Sequence, residues 1–255
     1  MSRWVLRPAP RADAAAKLFC LPYAGGTAAT FRRWAALADR LDVDVHAVEL
    51  PGHGRRLGEP ATIDADAVAD ALAAAIDRPY VIFGHSLGAR LAFEVSRRLR
   101  DGGAAEPVRL YVSGSPGPRL PRVGIGDSRL PPAEFTARVA RMGGTPAAIL
   151  ADRELRELFL PTIRADFAWG DGYRYRPAPP LSCPLSAFAA TADPEAPVGQ
   201  VATWSTETTG PFALHRFDGD HFFLHDRFAE LADTLVRELP ELATTPTVPN
   251  AGQPA

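Results

Sequence analysis

Pro79-Tyr80-Val81-Ile82-Phe83-Gly84-His85-Ser86-Leu87-Gly88-Ala89-Arg90-Leu91-Ala92-Phe93-Glu94 decides how the rest of the chain is read. Tyr80 to Phe83 is an apolar, β-favouring run that stops at Gly84, and Leu87, Leu91, Val95 and Leu99 then recur at helical spacing. The stretch predicts a buried strand, a tight turn and a helix, with Ser86 at the corner. In Gly-x-Ser-x-Gly the two glycines let strand and helix approach closely. That forces the serine into a strained turn and exposes its hydroxyl at the end of the sheet, the position of a nucleophile.

Outward from this corner the same alternation continues. Upstream, strands are predicted at Lys17 to Leu21 and Val43 to Leu50, with helices over 28–41 and 63–77. Downstream, strands are predicted at Val108 to Ser113, Leu185 to Thr191 and Phe212 to Phe217, with helices around Val198 to Trp204 and from Asp226 to Leu239. Strands alternating with helices at this pitch imply a parallel sheet with crossover helices, whose ligands gather at the carboxyl ends of the strands. Residues 119–180 break the rhythm. Helical patterns at Pro132 to Met142 and about Ala147 to Ala168 flank Gly143-Gly144-Thr145-Pro146 and lead to the aromatic run from Phe167 to Tyr175. A helical insertion between two sheet strands reads as a lid, and its aromatics as one wall of a pocket. The expected architecture is a single α/β domain over 1–255, with a loose lead-in at 1–16 and a disordered tail at 240–255.

Composition excludes little but points away from polyanions. The formal charge is -2 and the pI about 6.3, so nothing global calls for nucleic acid or an anionic membrane. Cys20, inside a strand, and Cys183, before Pro184, make neither a disulfide framework nor a metal site. The first residues lack the apolar core of a signal peptide and no apolar run would span a bilayer, so a cytoplasmic location is expected.

A serine hydroxyl needs a base to take its proton and a carboxylate to hold that base in the right tautomer. Of six histidines, His46 and His53 precede the serine, His85 lies within the turn, His215 lies in a strand and His225 opens the last helix. His221 lies in a Gly-rich loop between the last strand and last helix, where α/β hydrolases with Ser, acid, His order carry their base. Asp193 follows a late strand, and Pro194 after it keeps the carboxylate in a turn; Asp218 and Asp220 are the rival acids. The Leu87 N–H is the expected first oxyanion donor. Ala24 N–H, in the loop Pro22-Tyr23-Ala24-Gly25-Gly26-Thr27, is the second. No metal or redox cofactor is implied.

With these residues identified, the chain resembles a type II thioesterase, the stand-alone editing hydrolase of polyketide and nonribosomal peptide synthesis. The matching segments are Phe19 to Gly26 with Phe31 and Trp34, Glu49 to Arg56, Phe83 to Gly88, Met142 to Pro146, Leu160 to Phe167, and Gly219 to Phe223. The resemblance implies an α/β-hydrolase fold with a mostly parallel sheet and a helical lid, and a triad of Ser86, Asp193 and His221. It implies hydrolysis of unwanted acyl groups from the phosphopantetheine thiol of acyl or peptidyl carrier proteins, that arm belonging to the substrate. Tyr23, Phe167, Trp169 and Phe222 are the expected substrate contacts. The chain departs from the pattern modestly, with Leu87 where many relatives have Met, His53 where they have Arg, and no glycine ahead of Asp193. His53 is expected in an exposed loop. Because carrier proteins are commonly acidic, Arg32, Arg33, Arg55 and Arg56 form the expected docking patch, solvated arginines being the alternative. Rival readings are a general carboxylesterase, a terminating cyclase and a non-catalytic partner on the same scaffold.

Overall fold

A computed structural model describes residues 3–239; the tail expected over 240–255 lies outside the described residues. Within them the apolar runs become β1 (Val5–Leu6), β2 (Ala16–Leu21), β3 (Val43–Val48), β4 (Tyr80–His85), β5 (Arg109–Ser113), β6 (Leu185–Ala190) and β7 (Phe212–Phe217). They form one sheet in the order β1-β3-β2-β4-β5-β6-β7, parallel except for β1 against β3. Strands β2 to β6 are buried at every position, as strands covered on both faces must be, polar residues such as Asp44 and His46 of β3 included.

The two faces sort by residue parity. Phe19, Leu21, Ile82, Leu110 and Val112 belong to one core cluster, and Leu18, Cys20, Val81, Phe83 and Tyr111 to the other. The first cluster is closed by α2 (Ala65–Ala73) and α3 (Leu87–Asp101). The second is closed by a 3₁₀ helix at Ala28–Leu37, the short α1 (Ala38–Leu41) that continues it, and α9 (Phe228–Glu238). The predicted helix over 28–41 is thus mostly 3₁₀. Its buried residues Ala28, Phe31, Trp34 and Leu37 recur every third position, the repeat that a three-residue turn lays on one face. Thr27 caps it by accepting from Ala29 N–H at 3.2 Å.

Between β5 and β6 lie α4 (Pro132–Met142), α5 (Ala147–Ala151) and α6 (Arg153–Gly172), with a small core of their own, Phe135, Val139, Ile163 and Phe167. The single helix expected from 147 to 168 is broken at Asp152, whose extended backbone and carboxylate cap α6 at Leu155 N–H. After β6 come α7 (Val198–Val201), running on as 3₁₀ to Glu207, and after β7 the short α8 (Phe223–Asp226). The predicted last helix is split there, at Arg227. The lead-in is not loose throughout either. Residues 5 and 6 pair with β3, and Trp4 O accepts from Glu49 N–H at 2.8 Å. Among the described residues no helix is long and apolar enough to cross a membrane.

Candidate active site

β4 sits at the middle of the sheet, in register with β2 on one side and β5 on the other. At its end Ser86 takes φ 56° and ψ -117°, a conformation that costs a non-glycine residue about 1–3 kcal/mol. Ser86 N–H donates to Ser113 O at 2.7 Å, and Ser86 O accepts from Ala89 N–H at 3.1 Å, so the turn is fixed from both sides. The flanking glycines are there for contact. A Cβ at Gly84 would strike the Gly88 carbonyl, and one at Gly88 would strike the Leu21 and Pro22 carbonyls. Gly88 therefore brings α3 against the loop that carries Ala24.

His221 bridges Ser86 and an acid. Its Nε2 is 2.9 Å from Ser86 Oγ and its Nδ1 2.8 Å from Asp193 Oδ2, with Asp193 and His221 both buried. The other Asp193 oxygen accepts from Glu195 and Ala196 N–H at 2.8 and 3.2 Å, and Ala192 N–H reaches Gly219 O at 3.0 Å, tying the acid loop to the histidine loop. The rival acids do other work. Asp220 caps the turn after it by accepting from Phe222 N–H, and Asp218 receives Thr191 Oγ1 and, through its carbonyl, Arg227. His46 pairs with Asp44 and His215 with Glu238, away from Ser86. His85 is fully buried behind His221, 5.2 Å between rings, with Nδ1 on Ser113 Oγ. Burial, with His221 and His225 nearby, pushes its pKa well down, so it is an uncharged packing group.

Leu87 and Ala24 border the same cavity as Ser86, and neither backbone amide is hydrogen-bonded within the described residues. The Ala24 loop is held by Gly26 N–H on Tyr23 O at 2.8 Å and by Gly25 N–H on Asp166 Oδ2 at 2.7 Å. Asp166, on α6 and 1% exposed, also meets His53 Nε2 at 2.9 Å, while His53 Nδ1 meets Pro51 O at 2.9 Å. With Asp166 as a carboxylate, both partners of this imidazole are acceptors and both its nitrogens donate. Burial opposes that charge, but Asp166, Pro51 O and Glu49 outweigh it and raise the pKa above the ordinary histidine value. His53 was expected in an exposed loop; it is 3% exposed.

The expected arginine patch is likewise revised. Arg56 is buried, its guanidinium on both Glu59 oxygens and Glu49 O and 3.9 Å from the Trp4 ring centre. It serves the interior because β1 and its lead-in cover it. Arg32, Arg33 and Arg55 are exposed, Arg33 reaching His225 O and Arg55 reaching Val5 O.

Three neighbouring spaces lie between the body and the inserted helices, the first two bordered by Ser86 and the second and third sharing Tyr23. A cavity of about 60 Å³ is bordered by Ser86, Arg90, Phe167 and Trp169. A constriction of about 10 Å³ lies between Ser86, Tyr23, Phe167 and Phe222. Beyond it a groove of about 270 Å³ runs between Tyr23 and His53 on the body and Thr145, Phe159 and Thr162 on the inserted helices. All four aromatic residues expected to touch substrate border this space. The Asp166–His53 tie and the position of Arg90 were not read from the sequence. Among the described residues no group of three or more His, Cys, Asp and Glu could hold a metal ion.

The profile of the thioesterase domain family matches residues 16–239. The thioesterase PikA5 of Streptomyces venezuelae is 36% identical over 239 residues, spanning 91% of this chain and 84% of PikA5. Among solved structures, the type II thioesterase BorB from the borrelidin biosynthetic cluster superposes with a TM-score of 0.83 at 35% identity, covering 92% of this chain and 97% of BorB. YbtT, a type II thioesterase from the yersiniabactin NRPS/PKS pathway, gives a TM-score of 0.81 at 31% identity over 94% of this chain and 99% of its own. The sheet and its flanking helices are the α/β-hydrolase fold.

Proposed function

The chain belongs to the thioesterase domain family and is a thioester hydrolase, and on that premise we propose how and on what it acts. It clears stalled or aberrant acyl groups from the phosphopantetheine thiols of carrier proteins in a polyketide or nonribosomal peptide assembly line, as a cytoplasmic editing enzyme. Type II thioesterases from the borrelidin cluster and from the yersiniabactin NRPS/PKS pathway, each matched over nearly the whole chain, support this reading.

Ser86 is the nucleophile. The observation that carries the assignment is His221, within hydrogen-bond reach of Ser86 Oγ through one nitrogen and of Asp193 through the other. With Nδ1–H donated to Asp193, Nε2 is left with its lone pair towards Ser86 and takes the hydroxyl proton as Oγ attacks the thioester carbonyl. The Leu87 and Ala24 amides receive the developing oxyanion; one such donor is worth about 2.7–4 kcal/mol. The intermediate collapses, the thiol leaves with the proton from His221, and Ser86 holds the acyl group as an ester. Water, deprotonated by His221, then attacks that ester, and Oγ recovers its proton as the acid departs.

The helices between β5 and β6 act as the lid. The groove between Thr145 and His53 admits the pantetheine arm, the constriction by Tyr23 and Phe222 holds the thioester, and the acyl group occupies the cavity beyond. The test compares one acyl group on a phosphopantetheinyl carrier protein, on a free thiol and on a simple alcohol. Carrier-bound thioester is expected to give the highest kcat/KM; a faster reaction with the free oxoester would replace editing with general esterase activity.

A further inference from the structure

Among the described residues, the charged groups that border the cavity beside Ser86 are paired, with one exception. Asp166 has His53 at 2.9 Å, Arg122 has Asp171 at 2.8 Å through Nε, and Glu195 has Arg138 at 2.6 Å. Arg90 borders the same cavity and is 4% exposed, yet among the described residues it forms no ion pair with a carboxylate. It makes one hydrogen bond, Nη2 to Leu120 O at 2.7 Å, and its guanidinium lies over the Tyr173 ring at 5.1 Å. Desolvation, with Arg122 close by, pulls its pKa down to about 10, which leaves it charged at neutral pH. A buried cation with donors to spare and no counter-charge is unfavourable until an anion reaches it.

Its place on the helix says where that anion would sit. Arg90 is the fourth residue of α3, the helix that starts directly after Ser86, and both residues border the same cavity. Helical side chains lean towards the N-terminus, which here is the serine. The cavity that both residues border, about 60 Å³, leaves room for a short acyl chain only.

We propose that Arg90 selects the acyl group, and that this site favours short dicarboxylic half-thioesters, of malonyl to succinyl length, whose free carboxylate docks on the guanidinium. The inference rests on the thioesterase reading above and adds a substrate class to it. The chemistry is unchanged: water adds across the thioester, giving the dicarboxylic acid and the free carrier thiol.

The test loads a carrier protein with malonyl or succinyl groups and with their uncharged counterparts of matching shape, isovaleryl and 4-methylpentanoyl, and measures kcat/KM for each. The wild-type protein is expected to prefer the carboxylated member of each pair by about tenfold or more, the worth of a charge-assisted hydrogen bond. Arg90→Met is expected to lower that ratio about ten- to a hundredfold, and Arg90→Lys to restore part of it. Each ratio is taken within one preparation, so a partly unfolded variant still reports it. Ser86-dependent release with no carboxylate preference, or a ratio unmoved by Arg90→Met, overturns the inference and leaves the thioesterase reading standing. Absence of Ser86-dependent release from every carrier overturns that reading, and this inference with it.

Discussion

His53 Nε2 lies 2.9 Å from Asp166 Oδ2, joining the loop after β3 to the long helix of the insertion 113 residues away. The same carboxylate oxygen receives Gly25 N–H, the neighbour of the proposed oxyanion donor Ala24. One buried charge therefore sets the distance between inserted helix, body and Ala24 loop. Asp166→Ala leaves the His53 cation without its partner and is expected to destabilise the fold by about 3–5 kcal/mol. Where the variant still folds, kcat should fall more than KM rises, because the oxyanion donor shifts while the groove remains. Denaturant unfolding and steady-state kinetics on one preparation check both.

The pair also makes stability depend on pH in a defined direction. Because the folded-state pKa of His53 is raised above its unfolded value, its contribution is fully present below about pH 6.5 and is lost as pH rises through the folded pKa. His53→Gln lacks this titration. The gap in unfolding free energy between wild type and His53→Gln should be widest in mild acid and narrow as pH rises. A gap that widened with pH would assign the dependence to another group.

In the proposed mechanism Asp193, whose Oδ2 lies 2.8 Å from His221 Nδ1, orients the base, and neither Asp218 nor Asp220 does. Asp193→Asn would present an N–H or a neutral carbonyl to His221 Nδ1 and lower kcat by about 10⁴-fold, the scale of this change in other Ser-His-Asp sites. Asp218→Asn and Asp220→Asn should both stay near wild type, since the amide oxygen still accepts from Thr191 Oγ1 and Phe222 N–H respectively. Hydrolysis rates for the three purified variants, with thermal unfolding alongside, separate the roles.

Gly88→Ala tests the close approach beneath Ser86. Its methyl group would meet the Leu21 and Pro22 carbonyls, which belong to backbone and cannot rotate away. The variant should lose activity by displacing the Ala24 loop, and lose about 1–3 kcal/mol of stability or more through overpacking. Wild-type kinetics and unfolding from Gly88→Ala would show that helix and loop are not packed as described.

The elements around Ser86 were legible because their signals are local. The strand, the turn glycines and the helical repeat are contiguous, and Asp193 and His221 each follow a strand in the expected order. What escaped depends on distant partners. A two-residue strand such as Val5–Leu6 has no periodicity to read, and every-third spacing at Phe31, Trp34 and Leu37 fits an α-helix nearly as well as a 3₁₀ helix. His53 and Arg56 are polar residues in a glycine-containing loop, so sequence places them in water. Burial follows only once α6 brings Asp166 to one and the N-terminal segment brings Trp4 to the other. Arg90 has the same character, since its lack of a counter-charge among the described residues is a property of everything that folds around it.

The covalent step on Ser86 is the claim everything else depends on. Rapid-quench mixing of the protein with an acyl-loaded carrier protein, followed by peptide mass spectrometry, measures it directly. An acyl ester should appear on the Ser86 peptide as carrier thiol is freed and decay as the acid is released, and Ser86→Ala should abolish both. Acid released at the wild-type rate by Ser86→Ala, or an acyl group carried by any other residue, would contradict it.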